Sequence, residues 1–233
     1  MNKGKLIVVE GASDGIGKTT QFDLLRKALE KDGENLVYHH FPTYESMQGA
    51  LVEKYLVGEF GSPSELSPYF VNSLYAVDRA VTWQTKLKQS IKEGKIVLLD
   101  RYTTSSLIYQ SALIENIEEK KAFIDYVIDF EYNKLGIKRP DMVIFLHADY
   151  DLVTKMRNAR KNNDGIVNDI HESNEEFLKK VYQSAMFIAD YLAWEKVDCS
   201  KENQMRSIED IQKEVYSLVR KKQFNLKLSE TKL

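Results

Sequence analysis

The residues best suited to chemistry form one run near the N-terminus, Val8 to Gln21, which reads VVEGASDGIGKTTQ. An apolar stretch, Leu6 to Val9, leads into a glycine-rich loop that ends in Gly17-Lys18-Thr19, and a helix-favouring segment follows. Strand, loop and helix start in this order bind polyphosphate, because loop and helix N–H groups point at the anion. Lys18 reaches the terminal phosphates, and the Thr19 hydroxyl can ligate Mg²⁺. Glycine suits such a loop because a side chain would hold the backbone away from phosphate. The spacing departs from the usual pattern, with five residues rather than four between Gly11 and Gly17. Either Ala12 stands in for the first glycine, or one residue (Ala12 or Ser13) is inserted. Insertion is favoured, since it keeps both Glu10-Gly11 and Asp14-Gly15 in sensible places.

Two further groups could line the same site. Asp100-Arg101-Tyr102 follows a short apolar run, Ile96 to Leu99. At a strand end beside the loop, Asp100 could hold a metal through water, and Arg101 offers a planar fork to phosphate. Arg101, Ser105 and Tyr109 are four apart and share one face if a helix begins here. A buried structural ion pair beside a packed tyrosine is the plain alternative. Tyr75 and Arg79 are also four apart. A base could stack on the ring of Tyr75 while Arg79 donates to an oxygen on its edge; stacking is worth roughly 1–3 kcal/mol. An amine at that edge would meet a second donor and be rejected. Spacing alone equally fits a surface arginine beside a core tyrosine. Phe41-Pro42-Thr43-Tyr44 could line an acceptor site, or could be a packed turn.

Elements that would position these residues are legible from periodicity. Short β-branched runs recur at Leu6–Val9, Asn35–His40, Ile96–Leu99, Met142–Leu146 and Lys196–Cys199, separated by amphipathic stretches. That alternation predicts a doubly wound α/β domain with a five-stranded parallel sheet covered on both faces. Ser67-Pro68 reads as a helix start, with a helix to about Glu93 stopped by Gly94. Arg139-Pro140-Asp141 breaks the chain before the fourth strand. Lys161 to Gly165 reads as a polar, mobile loop. Glu172–Trp194 and Ile208–Lys221 read as helices, with a frayed tail from about Leu226.

Composition narrows the class. The chain has 233 residues, a net charge of −2 and 43% hydrophobic residues. One or two domains fit that length, and no broad field favours nucleic acid or an anionic membrane. A single cysteine, Cys199, excludes an internal disulfide and a multi-cysteine zinc site. His39, His40 and His147 lack metal-ligand spacing. The N-terminus leads straight into the first strand, leaving no room for a signal peptide, and no apolar run approaches membrane-spanning length. A cytosolic protein is expected.

In this order the pieces resemble the thymidylate kinase family of P-loop nucleoside monophosphate kinases, over about residues 5 to 200. The matches are Glu10-Gly11 with Asp14 to Gln21, Phe41 to Tyr44, Tyr75 to Arg79, and Asp100 to Gln110. Asp169-Ile170-His171-Glu172 looks like the segment that closes the family's lid. The resemblance implies a P-loop fold with sheet order 2-3-1-4-5 in one domain, with a lid near 157–172. It implies Mg²⁺-dependent transfer of the ATP γ-phosphoryl group to dTMP, by an enzyme that is commonly a homodimer, with no nucleic-acid or membrane partner. ATP would sit on Gly11, Ala12, Ser13, Asp14, Gly15, Ile16, Gly17, Lys18, Thr19 and Thr20, with metal at Thr19 and Asp100. By the same resemblance Tyr75 stacks on thymine, Arg79 contacts its O4, and Arg101 binds the dTMP phosphate. Asp14 lies near the 3′-hydroxyl, Tyr109 packs where a 2′-hydroxyl would clash, and Phe41, Tyr44, Ser105 and Ser106 make further contacts.

The acceptor phosphate is largely ionised near neutral pH, so catalysis would rest on positioning and charge neutralisation by Lys18, Mg²⁺ and an arginine. Where many relatives carry that arginine in the P-loop, this chain has Gly15, so Arg157 or Arg160 must supply it. Arg160 is favoured, being nearer the polar stretch. Relatives often have Asp-Arg where this chain has Asp169-Ile170, and His171 is unusual there. A kinase of another deoxynucleotide or of a deoxynucleoside, the latter using Asp14 or Glu10 as a base, and a non-catalytic nucleotide-binding protein are the competing readings.

Overall fold

The computed structural model describes residues 4–164 and 175–230, with the side chains of 158–164 and 222–230 outside that description. Five parallel strands form the central sheet: β1 (Lys5–Gly11), β2 (Leu36–His40), β3 (Ile96–Asp100), β4 (Met142–His147) and β5 (Glu195–Asp198). Their order is β2-β3-β1-β4-β5, as the family resemblance implies. Successive residues of β1 point to opposite faces. Ile7 and Val9 pack with Leu25 and Leu29 of helix α1 (Lys18–Lys31) and with Val215 and Val219 of α9 (Ile208–Glu230). Leu6 and Val8 enter the opposite core with Trp83, Leu87, Val97 and Leu99. Burial on both sides explains why β1, β3 and β4 are continuous apolar runs rather than alternating ones.

The remaining helices are α2 (Ala50–Leu56), α3 (Pro68–Thr82), α4 (Lys88–Lys92), α5 (Thr103–Ser111), α6 (Ile117–Ile128), α7 (Tyr150–Asp164) and α8 (Glu175–Tyr191). Ser67 caps α3, its hydroxyl accepting from the Tyr69 N–H with Pro68 in the first turn. The helix expected to run unbroken to Glu93 widens into a π segment over Trp83–Leu87 before α4, and Gly94 (φ 79°) ends it. The polar stretch from Lys161, expected to be a loop, continues α7 in its backbone as far as Asp164. The last helix likewise runs on to Glu230, past the expected fraying point. Helix α2 and a two-stranded hairpin, β6 (Ser200–Lys201) with β7 (Gln204–Met205), escape sequence periodicity because each is too short to show one. The expected lid residues Gly165 and Asp169 to Glu172 lie outside the described residues.

Register brings the strand ends together. Val9 and His40 both pair with Asp100, and Gly11 pairs with Leu146. The chain reverses its winding between β3 and β1, so the carboxyl edge opens a crevice beside the P-loop.

Candidate active site

At the end of β1 the loop takes up its additional residue without breaking the sheet. The Ala12 N–H continues the ladder by donating to the Leu146 carbonyl at 2.9 Å, and Ala12 is buried. Ile16 folds beneath the loop, where a Cβ on Gly11 would lie 2.9 Å from its Cγ2. Gly15 (φ 87°) and Gly17 (φ 89°) occupy left-handed backbone, and Lys18 then opens α1. The positive end of α1 and the loop amides face one cleft of about 890 Å³. Ser13 to Gln21 line it; Gly11 and Ala12 sit behind that surface.

Lys18 is buried and donates from Nζ to Asp100 Oδ1. The other Asp100 oxygen lies 3.0 Å from His40 Nδ1. Burial opposes ionisation of Asp100, but the bonds from His40 and Lys18 outweigh it and lower its pKa to about 2. Lys18 sits below the ordinary lysine value, because burial and repulsion from Arg101 exceed the attraction of Asp100 and Glu10. Asp100, expected to hold a metal through water, stands behind Lys18 and is absent from the cleft lining. Thr19 is exposed at the start of α1 and does line the cleft.

Arg101 follows β3 in left-handed backbone (φ 64°), a conformation that costs about 1–3 kcal/mol in a non-glycine residue and is common at functional sites. Its Nη2 donates to Asp14 Oδ1 at 2.5 Å, its Nη1 lies 3.5 Å from Ser105 Oγ, and its guanidinium sits 5.5 Å from the Tyr109 ring centroid. Tyr109 donates to Asp14 Oδ2 at 3.1 Å. Residues 101, 105 and 109 thus come together, but not on one helix face as expected: α5 begins at Thr103, and Arg101 reaches Ser105 and Tyr109 from left-handed backbone ahead of it. Asp14 is held below the usual carboxylate range: burial works against this, but Arg101, Lys18 and Tyr109 outweigh it. Glu10 is buried and accepts from Thr104 and Ser105 at 2.8 and 2.6 Å.

Arg79 is no surface arginine. Only 2% exposed, it lines the cleft together with Tyr75, Phe41, Tyr44 and Ser106. Its Nε and Nη2 donate to the two carboxylate oxygens of Glu131 at 2.7 and 2.6 Å, and Nη2 also reaches Ser106 Oγ at 2.8 Å. Phe41 is buried against Tyr102 and His39, whereas Tyr44 is partly exposed. The Thr43 N–H donates to Asp78 Oδ2 at 2.8 Å and ties this loop to α3.

Of the two candidate arginines on α7, Arg157 enters the cleft. It is buried, a Cβ on Gly15 would lie 3.4 Å from its Cα, and its Nη2 donates to both oxygens of Glu175 at 2.6 and 2.7 Å. Its Nε and Nη1 are buried without a hydrogen-bond partner among the described residues. Arg160 lies on α7, but its side chain is outside the described residues. Sequence spacing missed His40, Glu131 and Gln110; the Gln110 Oε1 is buried in the cleft wall without a partner among the described residues.

A family model described as thymidylate kinase matches residues 9–215. The chain belongs to the thymidylate kinase family. A "Probable thymidylate kinase" of Thermococcus onnurineus is 32% identical over 217 residues, covering 91% of this chain and 96% of that protein. A "Thymidylate kinase" of Pelotomaculum thermopropionicum is 32% identical over 194 residues, covering 80% of this chain and 81% of that protein. The solved structure of a thymidylate kinase from Candida albicans superposes with a TM-score of 0.70 at 21% identity, covering 95% of this chain, and shows the shared fold. Among the described residues, no helix is long and apolar enough to cross a membrane.

The donor set around Lys18 suits a hard cation shared with substrate. Among the described residues no cluster of three or more His, Cys, Asp or Glu could hold a metal alone. Both Asp100 oxygens are engaged, and Thr19 presents an exposed hydroxyl. Such a site fits Mg²⁺, which keeps waters and takes phosphate oxygens rather than an all-protein cage.

Proposed function

We propose that this chain is a dTMP kinase, transferring the γ-phosphoryl group of ATP to dTMP and yielding dTDP and ADP. One observation carries the reading: the P-loop with Lys18 and the group Arg101–Tyr109–Tyr75–Arg79 line a single continuous cleft. Two anions held at opposite sides of that cleft meet with little motion. A phosphate oxygen of dTMP attacks the γ-phosphorus, the bond to the β-bridging oxygen breaks, and ADP leaves with that electron pair. The acceptor needs no general base, so the site requires only charge and alignment.

Lys18 and the α1 amides take the donor phosphates. Mg²⁺, when bound, would rest on Thr19 with Asp100 behind it, and would neutralise charge on the donor phosphates. Arg101 takes the acceptor phosphate, Tyr75 stacks on the base, and Arg79 donates to its O4. Arg157 is the better candidate for the arginine that shares the transferring group's charge, because it is buried beside Gly15 with two N–H-bearing nitrogens that have no partner among the described residues. Helix α3 supports a homodimer: Phe70, Val77 and Val81 are exposed on it, and such an apolar stripe is normally covered. The one cysteine, buried as a free thiol, fits a reducing cytoplasm.

A panel of nucleoside monophosphates and thymidine with Mg-ATP tests the reading. dTMP should be turned over best. Faster turnover of thymidine would make the chain a deoxynucleoside kinase, and nucleotide binding without Mg²⁺-dependent turnover would make it a binding protein.

A further inference from the structure

Glu131 belongs to none of the sequence motifs, yet it makes the shortest of the bonds that hold Arg79. It lies in the π segment that follows α6, Asp129–Lys134, and is completely buried. Its Oε2 accepts from Arg79 Nε at 2.7 Å and from the Thr103 hydroxyl at 2.8 Å, and its Oε1 accepts from Arg79 Nη2 at 2.6 Å. This two-point pairing fixes the guanidinium plane, because rotation about the last side-chain torsion would break both bonds. Nη2 is used up further by Ser106 Oγ at 2.8 Å and Asn72 Oδ1 at 3.3 Å. Among the described residues Nη1 carries only a long bond to the Tyr102 carbonyl at 3.4 Å, so it keeps an N–H for an incoming acceptor.

Charge points the same way. An unpaired buried arginine would be the strongest anion site in the cleft and would compete with Arg101 for phosphate. With Glu131 beside it, Arg79 is part of a neutral pair and suits a neutral carbonyl. Arg101 faces Asp14, whose side chain is 33% exposed and can give way. Each end of the cleft is thereby matched to one end of a nucleotide.

We propose that Glu131 is a positioning residue that turns Arg79 into a reader of a neutral base carbonyl and keeps phosphate out of the base end of the acceptor site. The proposal rests on the reading of Arg79 as the base contact. The test is a cycle of Glu131→Gln, Arg79→Ala and the double variant in the full chain, assayed with Mg-ATP and dTMP. Losing a charged hydrogen-bond partner of a buried group predicts a KM for dTMP raised about ten- to a hundredfold in E131Q, with kcat and the KM for ATP within about threefold of wild type. Added to R79A, the second substitution should cost less than about threefold more, since both act through one contact. Inorganic phosphate should inhibit E131Q about tenfold more tightly than wild type.

Full additivity, an unchanged KM for dTMP, or unchanged phosphate inhibition would each overturn the proposal. An equal disturbance of kcat and both KM values would reduce Glu131 to a structural role, and so overturn it too. If R79A itself leaves the KM for dTMP unchanged, the Arg79 reading fails first and the proposal falls with it. Should E131Q not fold, Glu131→Asp keeps the charge but cannot span both donors. It should raise the KM for dTMP with kcat preserved; an unchanged KM in E131D would then overturn the proposal.

Discussion

Replacing Lys18 by methionine separates what the Lys18–Asp100 pair does for folding from what Lys18 does for turnover. Methionine keeps most of the apolar stem and removes the charge. Asp100, with 3% of its side chain exposed, is then left with His40 as its side-chain partner among the described residues. A carboxyl lowered from 3.8 to about 2 is favoured in its charged form by about 2.4 kcal/mol, at about 1.4 kcal/mol per pH unit. His40 supplies part of this, and the lysine end pulls the other way, since burial and Arg101 hold Lys18 below its ordinary pKa. The expected loss in K18M is therefore about 1–2 kcal/mol rather than the ~3–5 kcal/mol of a well-compensated buried pair. For a chain of this length that lowers Tm by about 2–8 °C.

Asp100 has a folded-state pKa below its unfolded value, so its contribution is complete above about pH 4 and is lost as pH falls toward about 2. Wild type and K18M should converge in stability across that window. Adding Asp100→Asn to K18M removes the stranded carboxylate and should recover about half or more of the lost Tm. Turnover should behave differently: K18M should lose at least about a hundredfold in kcat, and K18M/D100N should recover none of it. Scanning fluorimetry across pH with a coupled ADP assay reads both. A K18M protein as stable as wild type would refute the pairing argument, and one with wild-type kcat would remove Lys18 from the chemistry.

Three further substitutions or probes follow from the same coordinates. Arg157→Ala should lower kcat by at least about a hundredfold with little change in the KM for either substrate, whereas a larger kcat effect in Arg160→Ala would reverse that assignment. Gly49→Ala would place a Cβ 2.0 Å from the Thr43 carbonyl oxygen and 2.5 Å from its carbon. The Thr43 loop must retreat, so stability should fall by about 1–3 kcal/mol and the KM for dTMP should rise while that for ATP holds; unchanged values would show that the loop does not line the acceptor site. Burial pushes the Cys199 thiol up to about 12, so Ellman's reagent at pH 8 should label it only after denaturation, and rapid labelling of the native protein would contradict its burial.

Much of this site can be read from the chain because its parts obey short-range rules. The apolar run into Gly17-Lys18-Thr19 specifies a strand, an anion-binding loop and a helix start within fifteen residues. Ser105 and Tyr109 share a face because helical spacing requires it, and Ser67-Pro68 marks a helix start by local capping; Arg101 joins them from outside that helix, in left-handed backbone ahead of the cap. Glu131 and His40 were not legible in this way. Glu131 reaches Arg79 across 52 positions, and His40 reaches Asp100 only because β2 pairs with β3 in register. No local signal encodes either contact. Closeness to a polar stretch that reads as a loop favours Arg160; the backbone is helical there and the Arg160 side chain lies outside the described residues, while one turn earlier Arg157 abuts Gly15. Asn116, whose side chain accepts from the Glu118 and Glu119 N–H groups, was a readable start for α6 that apolar periodicity alone passes over.

Four of the cations that line the cleft differ less in their pairing than in how freely each can leave its partner. Each meets a carboxylate: Arg79 meets Glu131, Lys18 meets Asp100, Arg101 meets Asp14 and Arg157 meets Glu175. The carboxylate side chains are 0%, 3%, 33% and 61% exposed in that order. A buried carboxylate released from its partner keeps a large desolvation cost, whereas an exposed one is taken up by water. Arg79 is thus held permanently, as a reader of a neutral edge must be. Lys18 can share phosphate with Asp100 but not abandon it. Arg101 and Arg157 can exchange their carboxylates for substrate oxygens at small cost, which suits the groups that bind an arriving phosphate and follow a moving one. On this argument Glu175→Gln should raise kcat or leave it unchanged, measured with saturating Mg-ATP and dTMP. A fall of about tenfold or more would mean that Glu175 holds Arg157 in its working position rather than merely occupying it between turnovers.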